Sequence, residues 1–177
     1  MKNKAFPFFL IAFVLLIAAV VHLEKPQTAD PKQEFIESVS LAIDASYEDK
    51  RPYKSVIIAQ AILESQWGQS QLTQDANNYF GIKGSFQGDF VSVETQEVKH
   101  GEWITIQAPF RKYPSLHDSV KDYITLINNN RYKHVIQISN YRDQATAIMN
   151  AGYETDPGYA PKLIEIIETY RLYEYDQ

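Results

Sequence analysis

The sequence predicts a mostly helical α+β domain in which a small antiparallel β lobe lies beside a buried central helix. Three observations predict this fold class. Residues 52–68 are too apolar to face water, residues 91–110 alternate in the manner of paired β-strands, and the other patterned segments have helical spacing. The order of helices, hairpin and helices is that of an α+β domain.

Length, charge and composition limit the possible functions. The chain has 177 residues, enough for one domain of ordinary size once the N-terminal segment is set aside. It contains no cysteine, which excludes a disulfide framework, a thiol nucleophile and thiolate metal sites. The formal net charge of -5 argues against a general nucleic-acid binder, which needs a basic face. His100 and His117 have no second ligand at zinc-site spacing, so no metal or other cofactor is predicted.

The N-terminal segment predicts a membrane anchor or an export signal. Lys2 and Lys4 precede an uncharged apolar run over residues 5–21, which is longer than a signal-peptide core of roughly 7 to 15 residues. No good cleavage pattern follows, which favours an uncleaved signal anchor over residues 1–23. The positive-inside rule then places the rest of the chain outside. The sequence therefore predicts a single-pass membrane protein with an external domain, with a secreted protein as the alternative.

The first half of the chain after this segment is predicted in four parts. Residues 24–34, with two prolines and mixed polar side chains, predict a tether to a domain over 35–177. A helix is expected from about 32 to 47. In the buried helix over 52–68, Pro52 suits the first turn and Gly68 the position just past the last. The polar stretch 69–78 ends in the pair Asn77 and Asn78, which together with the closely spaced glycines up to Gly84 predicts a fixed loop.

The second half contains the hairpin and three more helices. Strands are expected over 91–97 and 103–110, joined by a turn at 99–101. Ser115 is a suitable cap for a helix over 115–127, and Gly152 ends a helix over 141–151. The last helix is expected over 157–173. No internal repeat is present.

Glu64 is the candidate catalytic residue of the buried helix. It lies in the final turn, where a carboxylate meets apolar surroundings and the negative end of the helix dipole. Both effects disfavour the charged form and raise the pKa of Glu64, which suits a general acid. The alternative is that the side chain simply turns out to solvent where the helix ends.

Several motifs together resemble the glucosaminidase family of peptidoglycan hydrolases, glycoside hydrolase family 73. The resemblance covers the chain from about residue 35 onward, and its strength comes from ordered matches along the whole domain. The matching positions are Ala61 to Ser65, Trp67, Gly68, Ser70, Asn77, Asn78, Phe80 to Gly84, Phe110, Arg111, Tyr113, Ser119, Asp122, Tyr123, Arg131, Tyr132, Gly152, Tyr153, Thr155 to Pro157, Tyr159 and Ala160.

The resemblance implies a lysozyme-like fold and cleavage of the β-1,4 bond after N-acetylglucosamine in the cell-wall glycan. It implies that Glu64 is the general acid, Glu97 the second carboxylate and Tyr153 a catalytic tyrosine of the cleft. The chain departs from the family pattern at Val98 and Glu154. Tyr79, which replaces a usual leucine, is included with the residues expected to contact substrate, which are Asn78, Phe80, Tyr79, Trp67, Tyr113 and Tyr159.

Some of these residues have a structural alternative. Phe80 and Tyr113 fit the core as well as a sugar-stacking platform, and Trp67 suits the wall of the pocket around Glu64. Strand alternation separates Glu97 from Glu94: Glu97 shares a face with Val91, Val93 and Thr95, although a bulge would exchange the faces.

The resulting hypothesis is an endo-β-N-acetylglucosaminidase whose partners are peptidoglycan glycan strands and, through the N-terminal helix, the membrane. Glu97 would activate water or steady the 2-acetamido group, and the stereochemical route stays open because it depends on the carboxylate separation. The alternatives are a lytic transglycosylase of related fold and a wall-binding module without catalysis. The oligomeric state is not predicted.

Overall fold

The computed structural model describes residues 30–99 and 102–177. Within these residues the chain is mostly helical with one two-stranded antiparallel sheet, which confirms the predicted α+β class. The α-helices and strands are α1 (Pro31–Ala45), α2 (Lys54–Ser65), α3 (Gln71–Ala76), β1 (Phe90–Lys99), β2 (Glu102–Arg111), α4 (Leu116–Ile127), α5 (Tyr141–Asn150) and α6 (Tyr159–Thr169). Two short 3-10 helices, Val135–Gln137 and Leu172–Asp176, complete the described elements.

Helix α2 forms the centre of the core because it is apolar on all sides. Residues 55–62 are all buried, and the helix contacts α1, α5, α6 and the C-terminal 3-10 helix. Tyr53, which precedes the helix, provides no side-chain cap. Instead Asp176 accepts hydrogen bonds from the Ser55 amide at 2.8 Å and the Ser55 hydroxyl at 2.6 Å. The N-terminus of α2 is therefore capped by a residue from the far end of the chain.

The central helix is shorter than the predicted 52–68. Gln66 and Trp67 adopt the left-handed conformation, with φ of 52° and 62°, and end the helix after Ser65. The Ser65 hydroxyl accepts a hydrogen bond from the Gly68 amide at 2.8 Å and so stabilises this turn. Gly68 lies three residues past the helix because two other residues take the left-handed conformation before it.

The polar stretch 69–78 contains a short helix that no sequence pattern predicted. Helix α3 is capped by Ser70, whose hydroxyl accepts a hydrogen bond from the Thr73 amide at 3.2 Å. Its six residues make fewer than two turns, which is too short for a hydrophobic period to show. This helix was therefore not predicted.

The helices of the second half largely agree with the prediction. Helix α4 follows the expected Ser115 cap, and α5 begins at Tyr141 as predicted. Helix α6 is shorter than predicted, because Arg171 adopts a left-handed φ of 53° and a 3-10 helix follows it. The 3-10 helix over Val135–Gln137 was not predicted, as three residues show no period.

The β-hairpin is held to the loop that follows α3. Strands β1 and β2 pair without a bulge from Phe90 and Arg111 to Lys99 and Glu102. The Arg111 amide donates to the Ile82 carbonyl at 2.9 Å, and the Gly84 amide donates to Pro109 at the same distance. These bonds fix the base of the hairpin to the loop that passes closest to the end of α2.

The structure corrects the predicted localisation as a single-pass membrane protein. Among residues 30–99 and 102–177, no helix has both the length and the apolar character needed to cross a membrane. The predicted anchor, residues 1–23, and most of the predicted tether lie outside the described residues.

Candidate active site

The candidate site is built around Glu64, which occupies the penultimate position of α2. Its Oε1 accepts a hydrogen bond from the Tyr159 hydroxyl at 2.8 Å. On the other side, a Cβ placed on Gly81 would lie 3.6 Å from Oε2. Gly81 has a φ of 63°, so glycine suits this position both for its backbone and for the space that it leaves beside the carboxyl group.

Burial raises the pKa of Glu64 from 4.5 to about 7. The hydrogen bond from Tyr159 opposes this shift because it stabilises the carboxylate, and the charge of Glu154 adds to it by repulsion. Burial also raises the pKa of Tyr159 well above its ordinary value, so that Tyr159 keeps its proton and remains a donor. A carboxyl group that stays protonated near neutral pH can act as a general acid.

A pocket of about 190 Å³ opens beside Glu64. Glu154, Asp156 and Lys162 supply its charged wall, and Lys162 pairs with Asp156 at 2.7 Å. A larger cleft of about 350 Å³ lies at the N-terminal end of α2. We assign the site to the smaller pocket, because it contains the acid with the strongly raised pKa, whereas Asp176 in the larger cleft is engaged in capping α2.

Aromatic rings surround the inner side of Glu64. Tyr153 donates a hydrogen bond from its hydroxyl to the Phe80 carbonyl at 2.9 Å, and its ring stacks on Tyr159 at a centroid distance of 5.9 Å. Phe80 in turn stacks on the fully buried Tyr123 at 4.2 Å. Tyr153 therefore connects two segments near the candidate acid: it bonds to the loop at Phe80 and stacks on Tyr159 at the start of α6.

Three of the predicted substrate-contact residues are buried, engaged inside the protein and absent from the lining of the pocket. Asn78 donates to the carbonyls of Ile82 and Arg111, both at 2.9 Å, and accepts from the Ile82 amide at 3.0 Å. Phe80 is 2% exposed. Tyr113 is equally buried, and its hydroxyl donates to Asp122 at 2.7 Å. In this structure these three residues shape the loop and the base of the hairpin.

Trp67 and Tyr79, two further substrate-contact candidates, lie in a separate aromatic cluster. Trp67 packs edge-on against Phe35 at 5.8 Å and Tyr170 at 4.8 Å, and Tyr79 lies 6.2 Å from Phe35. The structure brings Tyr153 and Tyr159 to Glu64, but it joins Trp67 to residues of α1 and of the C-terminal end of α6.

Glu97 is described only through its backbone, which pairs with Ile104 in the unbroken hairpin. Its side chain lies outside the described part of the structure, so its role stays a prediction. The register contains no bulge, and in the described part of β1 the exposure alternates, with Val91, Val93 and Thr95 less exposed than Ser92 and Glu94. The alternation on which the choice of Glu97 depended is therefore present.

The sequence analysis missed two residues of this site. Gln60 donates to the Tyr159 hydroxyl at 2.9 Å, and Glu154 lines the pocket and influences Glu64. A signal for Gln60 was available, since it is the one amide in the buried run 56–63 and lies one helical turn before Glu64. For Glu154 the signal was its departure from the family pattern. Neither residue is part of a metal site, because the described residues contain no cluster of three or more side chains able to hold a metal ion.

A family model and a solved structure each match most of this chain. The Glucosaminidase family model, described as mannosyl-glycoprotein endo-beta-N-acetylglucosaminidase, matches residues 40–172. A solved structure, the catalytic domain of the autolysin Auto from Listeria monocytogenes, superposes with a TM-score of 0.77 at 34% identity. The match covers 86% of this chain and 92% of that one.

Two curated relatives are longer than this chain. Exo-glucosaminidase LytG of Bacillus subtilis is 42% identical over 184 residues, a match that covers 96% of this chain and 65% of that protein. A probable N-acetylmuramidase of Lactococcus lactis subsp. cremoris is 41% identical over 153 residues, covering 81% of this chain and 35% of that protein. The chain thus spans less than two thirds of the length of either relative.

Proposed function

The chain belongs to the glucosaminidase family of glycoside hydrolases, and from this premise we propose that it cleaves the β-1,4 bond after N-acetylglucosamine in peptidoglycan, with Glu64 as the general acid. The observation that carries the proposal is the environment of Glu64. A half-buried carboxyl group with a pKa of about 7 stands at a pocket and accepts one hydrogen bond from a tyrosine.

The reaction assigns one task to each predicted catalytic residue. Glu64 protonates the glycosidic oxygen as the bond to the leaving sugar breaks. Glu97 either activates the attacking water or steadies the 2-acetamido group during its attack. Tyr153 contributes through its position, because its hydroxyl bond to the Phe80 carbonyl fixes the loop opposite Glu64. No metal or other cofactor takes part in this proposal.

Peptidoglycan is proposed as substrate on the resemblance of the motifs and on the names of the relatives. One relative is named an exo-glucosaminidase, another a probable N-acetylmuramidase, and a third an autolysin. Glucosamine and muramic acid residues alternate in wall glycan, so all three names point to the same polymer. They differ in the bond cleaved, and the muramidase name makes cleavage after N-acetylmuramic acid the second candidate.

Mass spectrometry of borohydride-reduced fragments from purified wall tests the proposal. Cleavage after N-acetylglucosamine leaves a reduced glucosamine end, whereas the muramidase reaction leaves a reduced muramic end. A lytic transglycosylase leaves a 1,6-anhydro-muramic end that borohydride does not reduce. Fragments of several lengths early in the digest support an endo mode, and release of only the terminal unit supports an exo mode. Absence of any release by the folded protein would favour a binding module instead.

A further inference from the structure

A chain of hydrogen bonds runs through the core to Glu64. Gln60 is fully buried in α2, one turn before Glu64. Its Nε2 donates to the Tyr159 hydroxyl at 2.9 Å, and its Oε1 accepts a hydrogen bond from the hydroxyl of Tyr123 on α4. Tyr159 in turn donates to Oε1 of Glu64 at 2.8 Å. The chain therefore joins three helices, α4, α2 and α6, at the candidate acid.

The amide group of Gln60 gives this series of hydrogen bonds its direction. An amide oxygen only accepts hydrogen bonds and an amide nitrogen only donates them. In the structure the Tyr123 hydroxyl donates to Oε1 of Gln60, and Nε2 of Gln60 donates to the Tyr159 hydroxyl, so the amide links the two tyrosines in one direction. Both tyrosines are almost fully buried, at 0% and 3% exposed, so these internal partners satisfy their hydroxyl groups.

The consequence concerns the two oxygens of Glu64. Tyr159 accepts one bond from Gln60, so its own single proton is directed to Oε1 of Glu64. An oxygen that accepts this bond is the poorer place for the acidic proton of the carboxyl group. Oε2 lies beside Gly81, which has no side chain of its own.

We propose that Gln60 and Tyr123 are positioning residues: through Tyr159 they direct a hydroxyl proton to Oε1 of Glu64 and so place the acidic proton on Oε2, which delivers it to the glycosidic oxygen. The proposal deepens the proposed function and rests on the role of Glu64 as the acid. Neither residue touches the substrate. Both act by excluding the arrangement in which the acidic proton lies on Oε1 of Glu64 and is donated to the Tyr159 hydroxyl oxygen.

Other titratable groups also face Glu64 and must stay constant in a test. Tyr153 and Glu154 approach from the segment between α5 and α6, and the Asp156 and Lys162 pair lines the pocket. None of these groups hydrogen-bonds to Gln60 or Tyr123 in the described structure. Substitutions at those two positions therefore change the chain of hydrogen bonds while leaving the charges around the pocket in place.

Substitution of Gln60 by methionine tests the chain, since it keeps the approximate volume and removes both hydrogen bonds. Tyr159 would then be free to accept a proton from Glu64, which stabilises the protonated acid. We expect the pKa of Glu64 to rise by at least about half a unit, the direction expected when a bond to the charged form is lost. The probe is the carboxyl ¹³C resonance of labelled glutamate, assigned by its disappearance in Glu64→Gln.

The matched control is Gln144→Met. Gln144 is also a buried glutamine, at 1% exposed, but it bonds to the Tyr53 amide and the Val135 carbonyl. The Gln144→Met variant should be less stable than the parent, but the pKa of Glu64 should not change. Tyr123→Phe removes a single hydroxyl and is expected to shift the titration in the same direction as Gln60→Met by a smaller amount. If Gln60→Met does not fold, the shift measured in Tyr123→Phe takes its place as the test.

Activity supplies the second readout. In Gln60→Met, kcat on wall glycan should fall about tenfold, the KM should change little, and the basic limb of the pH profile should move upward with the ¹³C titration. Unchanged titration and kcat in a folded Gln60→Met or Tyr123→Phe would overturn the proposal, as would an equal shift in Gln144→Met. If Glu64→Gln keeps parental activity, the proposed acid is wrong, while the ¹³C titration still reports on the chain of hydrogen bonds.

Discussion

At the scale of single residues, the most informative feature is a carboxyl group whose surroundings oppose its ionisation. Burial, the chief cause, raises the pKa of Glu64, and the nearby negative charge of Glu154 raises it further. The hydrogen bond from Tyr159 offsets part of this effect. An acid used at neutral pH needs this balance, because a fully ionised carboxylate has no proton to give.

The first prediction concerns Glu64→Gln. The amide keeps the shape of the side chain and can still accept the bond from Tyr159, but it cannot supply an acidic proton. We expect wall hydrolysis to fall at least about a hundredfold, the lower end of general-acid contributions, with a near-native circular dichroism spectrum. Activity within a few-fold of the parent in a folded variant would remove Glu64 from the mechanism.

The second prediction concerns Glu154→Gln and pH. Activity should decline as pH rises through the Glu64 pKa of about 7, because only the protonated form is an acid. Removing the charge of Glu154 lowers this pKa, so the basic limb should move to lower pH by a few tenths of a unit, roughly what a solvent-screened charge contributes. The comparison is Glu48→Gln, an exposed acid in the segment before α2, which should leave the limb in place. An upward or absent shift in Glu154→Gln would contradict the prediction.

At the scale of elements, the loop after α3 connects the hairpin to the acid. Asn78 clamps this loop through three hydrogen bonds, to both backbone groups of Ile82 and to the Arg111 carbonyl. The same loop brings Gly81 beside Glu64. The position of the β lobe relative to the helix is therefore set by hydrogen bonds at its base.

The third prediction uses the two faces of β1. We expect Glu97→Gln to lower turnover at least about tenfold with little change in melting temperature, because the loss is that of a catalytic carboxylate. Glu94→Gln is the matched control on the same strand. Glu94 is exposed, so its substitution should leave activity near that of the parent. The reverse pattern would assign the second carboxylate to Glu94.

At the scale of the whole molecule, the core is built around α2, and the acid belongs to the same helix. Residues 55–62 are buried, and the helix contacts four other helical elements. Glu64 is therefore held by the most deeply packed element of the described fold. This rigidity fixes the acid in place, but it also keeps a group that tends to ionise in a poorly solvated position, which lowers stability at high pH.

The fourth prediction is a pH dependence of the free energy of unfolding. The pKa of Glu64 is about 7 when folded and 4.5 ordinarily, so between these values the folded state binds more protons than the unfolded state. Stability from this group is full below pH 4.5 and is lost as pH rises through 7. Glu64→Gln lacks this loss and should exceed the parent in stability at pH 8 by up to about 3 kcal/mol.

Urea unfolding at pH 4 and pH 8 measures this difference. The two proteins should be nearly equal at pH 4, where the carboxyl group is neutral in the folded state and mostly neutral in the unfolded state. Equal stability at pH 8 as well would mean that the folded protein ionises Glu64 without cost, and the carboxyl group would then be solvated.

The sequence by itself determined the fold class, the central helix, the hairpin with its alternating faces, and Glu64 as the candidate acid. Each of these follows from local patterns: an apolar run, period-two alternation, and an ionisable residue at the end of a buried helix. Short elements such as α3 could not be found this way, because fewer than two turns carry no period.

Only the tertiary structure decided what surrounds Glu64. Tyr159 lies 95 residues further along the chain and Tyr123 lies 63 residues beyond Gln60, so no local pattern relates them. The structure also engages Asn78 and Tyr113 in internal hydrogen bonds, although both had been expected at the substrate. The physical reason is that hydrogen bonds act over about 3 Å in space, whereas sequence patterns report only neighbours within a turn or a strand. The sequence supplies the candidate acid, and the packing of α2, α4 and α6 supplies the groups around it.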